Sequence, residues 1–349
     1  MHLVAALVLT VVAAMTPAEQ LAIGEKYTQM GKPKQAIPLL HKALKGALSD
    51  DDKARAEAAL GLAYLQAKKP KKAVAHLRNA TDLDGKKPKR WLLLGVALDQ
   101  AGLTDKAVAA YRRGIKANPK SVELHHELGM TLVEGGQPDA GAQSLERAVA
   151  LAPNHPGLLA DLAFGQVQRG KFKEAREASL RSLALADDNA DAHFTLGLSE
   201  MALGNDDGAI DAFEAALKHE PRHIPSLMRL AKLDEKQGRK VKAAKRLVKV
   251  LKLDPSALLA RARLGVLLAD LGKDKKAKKM LGQVLKKDPG YLPAYPALAE
   301  LEAKAGNADA AIAWYEKLKG QLKGNAAKQK QIDKRIAEIR AAHKANGAQ

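Results

Sequence analysis

The segment Trp91-Leu-Leu-Leu-Gly95-Val-Ala-Leu98-Asp-Gln-Ala-Gly102-Leu-Thr-Asp-Lys-Ala107-Val-Ala-Ala-Tyr111, with Pro119 beyond it, decides the fold. Trp91, Leu94 and Leu98 share one helical face by their three- and four-residue spacing, and Tyr111 answers them from a second helix. Gly95 and Ala107 are small where those two helices must cross closely. Gly102 stands where the first helix has to end, because glycine takes the left-handed conformation that closes a helix at little cost. Pro119 stands after the second helix, which it cannot continue for lack of an N–H. Two short antiparallel helices cannot bury their apolar faces alone, so neighbours of the same kind are expected.

The chain supplies them. A small residue recurs every 34 positions at Gly61, Gly95, Gly129, Ala163, Gly197, Ala231, Gly265 and Ala299, and an earlier copy at Gly24 is offset by three residues in the acidic loop around Ser49–Asp52. A second small column runs through Ala36, Ala73, Ala107, Gly141, Ala175, Ala209, Ala243, Ala277 and Ala311. Between them lies a glycine column at Gly31, Gly102, Gly136, Gly170, Gly204, Gly238, Gly272 and Gly306, broken by Lys68. Pro119, Pro153, Pro221, Pro255 and Pro289 close most copies.

Trp91-x-x-Leu94-Gly95-x-x-Leu98, Ala107-x-x-x-Tyr111 and Pro119 resemble the tetratricopeptide signature, and His193-x-x-Leu196-Gly197, Ala209-x-x-x-Phe213 and Pro221 repeat it. The resemblance is to arrays of this family in exported bacterial proteins. It implies an all-α, right-handed superhelical solenoid of about nine helix-turn-helix repeats over residues 17–325. It also implies a concave face lined by the first helix of each repeat, where family members hold peptides or partner helices. Residues 326–345 read as a further helix with Ile332, Ile336 and Ile339 on one face, which suits the terminal cap an array needs. No Pro-, Gly- or Ser-rich linker interrupts the copies. Ser179 stands where an aromatic residue or leucine is expected, so the fifth copy should pack less tightly.

Composition agrees with helix: hydrophobic residues make up 46% of 349, aromatics only 3%, and Ala and Leu dominate. The absence of cysteine excludes disulfides and thiolate chemistry. The formal charge is +19 but uneven: +11 over residues 1–121, −10 over 122–221, +14 over 222–290 and +4 over 291–349. The apolar run within residues 1–14 is too short to span a bilayer and suits a secretory signal peptide, with the defect that only His2 and the terminal amine precede it. That reading expects a periplasmic or secreted chain, and the alternative is a cytoplasmic one with an extra N-terminal helix.

Three motifs imitate catalytic sites. His219-Glu-Pro-Arg-His223 matches a zinc-protease pattern, but Pro221 lies inside it and should place the two histidines on either side of a helix break. Gly165–Lys171 matches part of a phosphate loop without the following Ser or Thr, and its Gly170 is a helix-closing glycine. His125 and His193 fill the column of Trp91, a packing position, although His126 beside His125 suggests a ligand pair. No catalytic residue, metal or cofactor is expected, and no enzymatic activity.

Binding is expected on the first helices. The column after the first small residue reads Leu62, Val96, Met130, Phe164, Leu198, Lys232 and Val266; a turn later come Leu65, Asp99, Val133, Val167 and Met201, flanked by Gln66, Gln100, Glu134 and Gln168. Such an apolar stripe edged by amides and carboxylates suits an extended segment or an amphipathic helix of a protein partner. The Asn and Lys pattern with which chaperone-binding family members clamp a terminal carboxylate is absent from these columns. A second candidate surface is a basic ridge on the second helices: Lys240, Lys242, Lys245, Arg246, Lys249 and Lys252, then Lys273, Lys275, Lys276, Lys278, Lys279, Lys286 and Lys287. It could meet an anionic membrane surface, polysaccharide or nucleic acid, the last disfavoured because no aromatic platform accompanies the lysines.

Overall fold

The computed structural model describes residues 15–322 and 324–347, so the expected signal peptide at 1–14 lies outside the described residues. Among the described residues every regular element is a helix. In chain order these are α1 (Pro17–Gln29), α2 (Pro33–Leu44), α3 (Asp50–Gln66), α4 (Pro70–Leu83), α5 (Pro88–Gln100), α6 (Thr104–Ala117), α7 (Val122–Glu134), α8 (Pro138–Leu151), α9 (Pro156–Gln168) and α10 (Phe172–Leu185). They continue as α11 (Ala190–Ala202), α12 (Asp206–His219), α13 (Ile224–Lys236), α14 (Lys240–Leu253), α15 (Leu258–Asp270), α16 (Asp274–Lys287), α17 (Ala294–Lys304), α18 (Ala308–Gln321) and α19 (Ala326–Gly347). Odd-numbered helices up to α17 are the first members of the repeats and even-numbered ones the second.

The residues form two compact units. One takes the chain up to Asp187 together with Leu198–Leu203; the other takes Asp188–Gly197 and everything from Gly204. In the first unit each first helix packs on its own second helix and on the first helix of the next repeat, from α1 to α9. The second unit builds α13 to α18 in the same way, and α19 closes it with Ile332, Ile336 and Ile339 buried beside Tyr315 and Leu318. Within each unit second helices pack on first helices rather than on each other, which puts the first helices on the inner curve.

The small columns work as steric keys. A Cβ added at Gly95 would lie 2.1 Å from the ring of Tyr111, at Gly197 2.5 Å from Phe213, and at Gly61 2.3 Å from Leu77. Each of these large side chains stands sixteen residues downstream and is fully buried, a gain of about 1.5–3 kcal/mol apiece. The fifth repeat has a small polar residue at this place. There Ala163 faces Ser179, which is wholly buried with no hydrogen-bond partner for its Oγ among the described residues.

The glycine column closes every first helix it marks: Gly31, Gly102, Gly136, Gly170, Gly204, Gly238, Gly272 and Gly306 all have φ between +66° and +85°. At Gly102 the N–H donates to Asp99 O and the next N–H reaches back to Leu98 O, the paired bonds of a Schellman closure. Lys68 makes the same closure at φ +56°, the one non-glycine residue with positive φ among those described. A side chain there costs about 1–2 kcal/mol, partly offset by the lower chain entropy of a non-glycine residue. Lys68→Gly is therefore expected to stabilise the first unit by about 0.5–1 kcal/mol in urea unfolding. An unchanged midpoint would show that the second repeat absorbs the strain elsewhere.

Candidate functional site

A groove of about 420 Å³ opens across α1, α3 and α5. Ala58, Ala59, Leu62 and Leu93 form its apolar floor, and Glu25, Asp51, Arg55, Lys87, Lys89 and Arg90 stand around it. Part of the rim is fixed by ion pairs. Arg55 holds Glu25 at 2.6 Å and Asp52 at 2.8 Å, and the nearly buried Arg90 holds Asp84. The second unit has a smaller groove of about 370 Å³ across α15 and α17, lined by Val266, Ala269, Ala297 and Leu301 with Asp270, Glu300 and Lys304.

Of the residues expected in the binding column, Leu62 lines the first groove and Val266 the second. Val96, Met130, Phe164 and Leu198 are half-buried at the equivalent position, with Met130 and Phe164 resting on the core around Leu159 and Leu162. Lys232 is exposed. One turn on, Leu65, Asp99, Val167 and Met201 are half-buried, and Gln66, Gln100, Glu134 and Gln168 are exposed along the rim. Gln66 is tied down by donating to Thr28 O at 2.9 Å.

Val133 is a correction: it is buried, not a groove residue. Its repeat carries Gly141 where the others carry alanine, and a Cβ there would lie 2.6 Å from Val133 Cγ2 and 2.7 Å from Gly129 O. Lacking that Cβ, α7 and α8 close in and cover the valine. The sequence reading also missed the column three residues before the binding column, which shares its helical face. That column supplies Ala59 and Leu93 to the first groove, then becomes acidic at Glu127 and Asp161 and basic at Arg229 and Arg263.

Beside Glu127 and Asp161 stands His126, with Nε2 2.7 Å from an Asp161 carboxylate oxygen and Nδ1 3.6 Å from Glu127. Hydrogen bonds to these two carboxylates push its pKa up to about 9, against the effect of burial. The charged imidazole therefore ties α7 to α9 at neutral pH. Because the folded pKa is raised, this contribution is complete below about pH 6.5 and is lost as pH rises through about 9. The pair is partly solvated, so about 1 kcal/mol is expected. His126→Gln should be less stable than the parent by that amount at pH 6, and the gap should close near pH 10. A gap independent of pH would assign the histidine a packing role instead.

The catalytic look-alikes resolve into structure. His219 ends α12 and stacks on His193, whereas His223 precedes α13, accepts from the Ser226 N–H and packs against Phe194. Gly165 lies inside α9 and Gly170 closes it. His125 Nε2 lies 3.0 Å from Pro119 O, six residues back. Trp91 donates to Gly85 O and Tyr295 to Pro289 O over the same interval, so this column pins α5, α7 and α17 to the loops that precede them.

The basic ridge is only partly free. Lys240 pairs with Asp270, Lys242 with Glu214, Lys278 with Glu302, and the half-buried Arg246 with both Glu214 and Asp234. Lys245, Lys249, Lys252, Lys273, Lys275, Lys276, Lys279, Lys286 and Lys287 are exposed and carry no ion pair among the described residues. The repeat junctions of this unit are also charged: Asp206 at the start of α12 holds Lys236 at the end of α13, Lys240 of α14 holds Asp270 of α15, and Asp274 of α16 holds Lys304 of α17.

Tetratricopeptide-repeat family models match residues 21–88, 58–122, 92–156 and 275–326, and further models of the same repeat match 190–223 and 236–295. The chain belongs to the tetratricopeptide-repeat family. Among solved structures, the C-terminal part of a tetratricopeptide protein from Cytophaga hutchinsonii is 15% identical with a TM-score of 0.55, over 70% of this chain and 99% of that one. Pseudomonas aeruginosa pilF is 20% identical with a TM-score of 0.54, over 62% and 97%. Both share the fold. MamA is 28% identical over 46% of this chain and 95% of that one, with a TM-score of 0.42. No curated protein matches significantly. As a tetratricopeptide array the chain is a protein-interaction scaffold, and no described helix is long and apolar enough to cross a membrane.

Proposed function

We propose that the first helices bind a peptide segment of a protein partner along their inner face, and that the chain binds its partner rather than transforming it. The observation that supports this most is the groove across α1, α3 and α5: an apolar floor of small and aliphatic side chains inside a rim of both charges. At about 420 Å³ it is the size of a site for a few side chains, not for a folded domain. The small floor residues Ala58 and Ala59 admit backbone as well as side chain, which suits an extended strand or one face of a helix. The rim carboxylates and guanidinium groups are already paired with one another, so they set the register of a ligand without leaving buried charge uncompensated.

Selection of ligands for the full chain from a displayed random-peptide library tests the reading. Selected peptides should carry spaced apolar anchors, and a photo-crosslinker at those anchors should label α3 or α5. Labelling confined to the even-numbered helices would overturn it.

A further inference from the structure

The outward stripe of α14 carries Val241, Lys245, Val248 and Lys252, positions i, i+4, i+7 and i+11 of one helical face. Val241 is 58% and Val248 41% exposed, so two β-branched apolar side chains stand in solvent between lysines. One repeat later, Lys279 and Lys286 of α16 occupy the positions of Lys245 and Lys252 and are exposed like them. None of these four lysines has an ion-pair partner among the described residues, whereas the one arginine of the two helices, Arg246, is committed to Asp234 and Glu214. The free charge on this face is therefore all ammonium.

We propose that this face of α14 and α16 docks on an anionic lipid surface, through an interaction independent of the peptide groove. Exposed valines decide between the anionic candidates. A phosphate or sulfate polymer offers them nothing, while the headgroup–acyl boundary of a bilayer accepts apolar side chains and attracts the lysines around them. Sequence-independent nucleic-acid grooves use stacking aromatics and arginine, and this face carries neither. Several dispersed ammonium groups with two small apolar contacts give shallow, reversible attachment, not insertion.

The test is flotation of the full chain with vesicles of phosphatidylcholine alone or with about 30% phosphatidylglycerol. Binding is expected to the anionic vesicles only, weakening at least about tenfold between about 50 and about 500 mM salt. Lys245→Glu with Lys279→Glu should abolish it. Val241→Ser with Val248→Ser should reduce vesicle binding about three- to tenfold while leaving any retention on heparin or duplex DNA unchanged. All four positions are exposed, and circular dichroism checks that the variants keep their helices. Failure to float with anionic vesicles, tighter binding to heparin or DNA than to vesicles at equal salt, or undiminished vesicle binding by the valine variant would each overturn the proposal. Peptide binding in the groove should persist in every one of these variants, which separates the two surfaces.

Discussion

Asp234→Ala is expected to cost the second unit about 3 kcal/mol, a large loss for one carboxylate. Asp234 is wholly buried on α13, where one carboxylate oxygen holds Arg239 at 2.8 Å and the other holds Arg246 at 2.7 Å. Removing it strands Arg246, itself only 13% exposed at its side chain, with Glu214 as its remaining partner. The repeat supplies its own control. The eighth repeat places Leu268 where Asp234 stands and Met280 where Arg246 stands, and both are apolar and packed in the core. Asp234→Leu with Arg246→Met should therefore recover stability to within about 1 kcal/mol of the parent, since a buried ion pair exchanged for well-packed apolar groups is close to neutral. Urea unfolding followed by circular dichroism reads both variants. An alanine variant as stable as the parent would mean that the pair adds nothing to the fold.

The second large effect is on binding. Leu62→Glu with Leu93→Glu is expected to weaken a library-selected groove peptide by about thirtyfold or more, as loss of central apolar anchors does. Both side chains are half-buried, so the new carboxylates reach solvent and the helices should persist. Full peptide binding by a folded double variant would falsify the groove reading. Melting of the second and third repeats would instead show that the two residues act mainly in the core around Leu60 and Leu94.

How far the sequence can be read differs by type of constraint. The helix pairs, the glycine closures and the buried terminal isoleucines follow from local demands, a missing Cβ or a positive φ, that each residue meets by itself. Asp234 does not declare itself in that way. A polar residue at a core column looks like a surface position until its partners, five and twelve residues on, are brought round by the next helix. The same holds for Glu200 with Arg176 and for Gln166 with Glu146. The basic ridge fails in the opposite sense: Lys240, Lys242, Arg246 and Lys278 count as free charge in the sequence and are paired in the fold. Val133 was misplaced because its burial depends on a glycine in another helix.

The junction pairs bear on how such an array can be shuffled. Asp206 with Lys236, Lys240 with Asp270 and Asp274 with Lys304 alternate in sign from one repeat to the next, and each pair joins a second helix to the following first helix. Excising α13 with α14 would set Asp206 against Asp270, and excising α15 with α16 would set Lys240 against Lys304. Excising α14 with α15 leaves every remaining junction pair complementary but takes Arg246 away from the buried Asp234. Each pair contributes only a few tenths of a kcal/mol, yet the penalty changes sign with the choice of cut. The junction pairs by themselves favour a cut out of phase with the helical hairpin by half a repeat, but the far stronger buried pair of Asp234 with Arg246 requires α13 and α14 to move together.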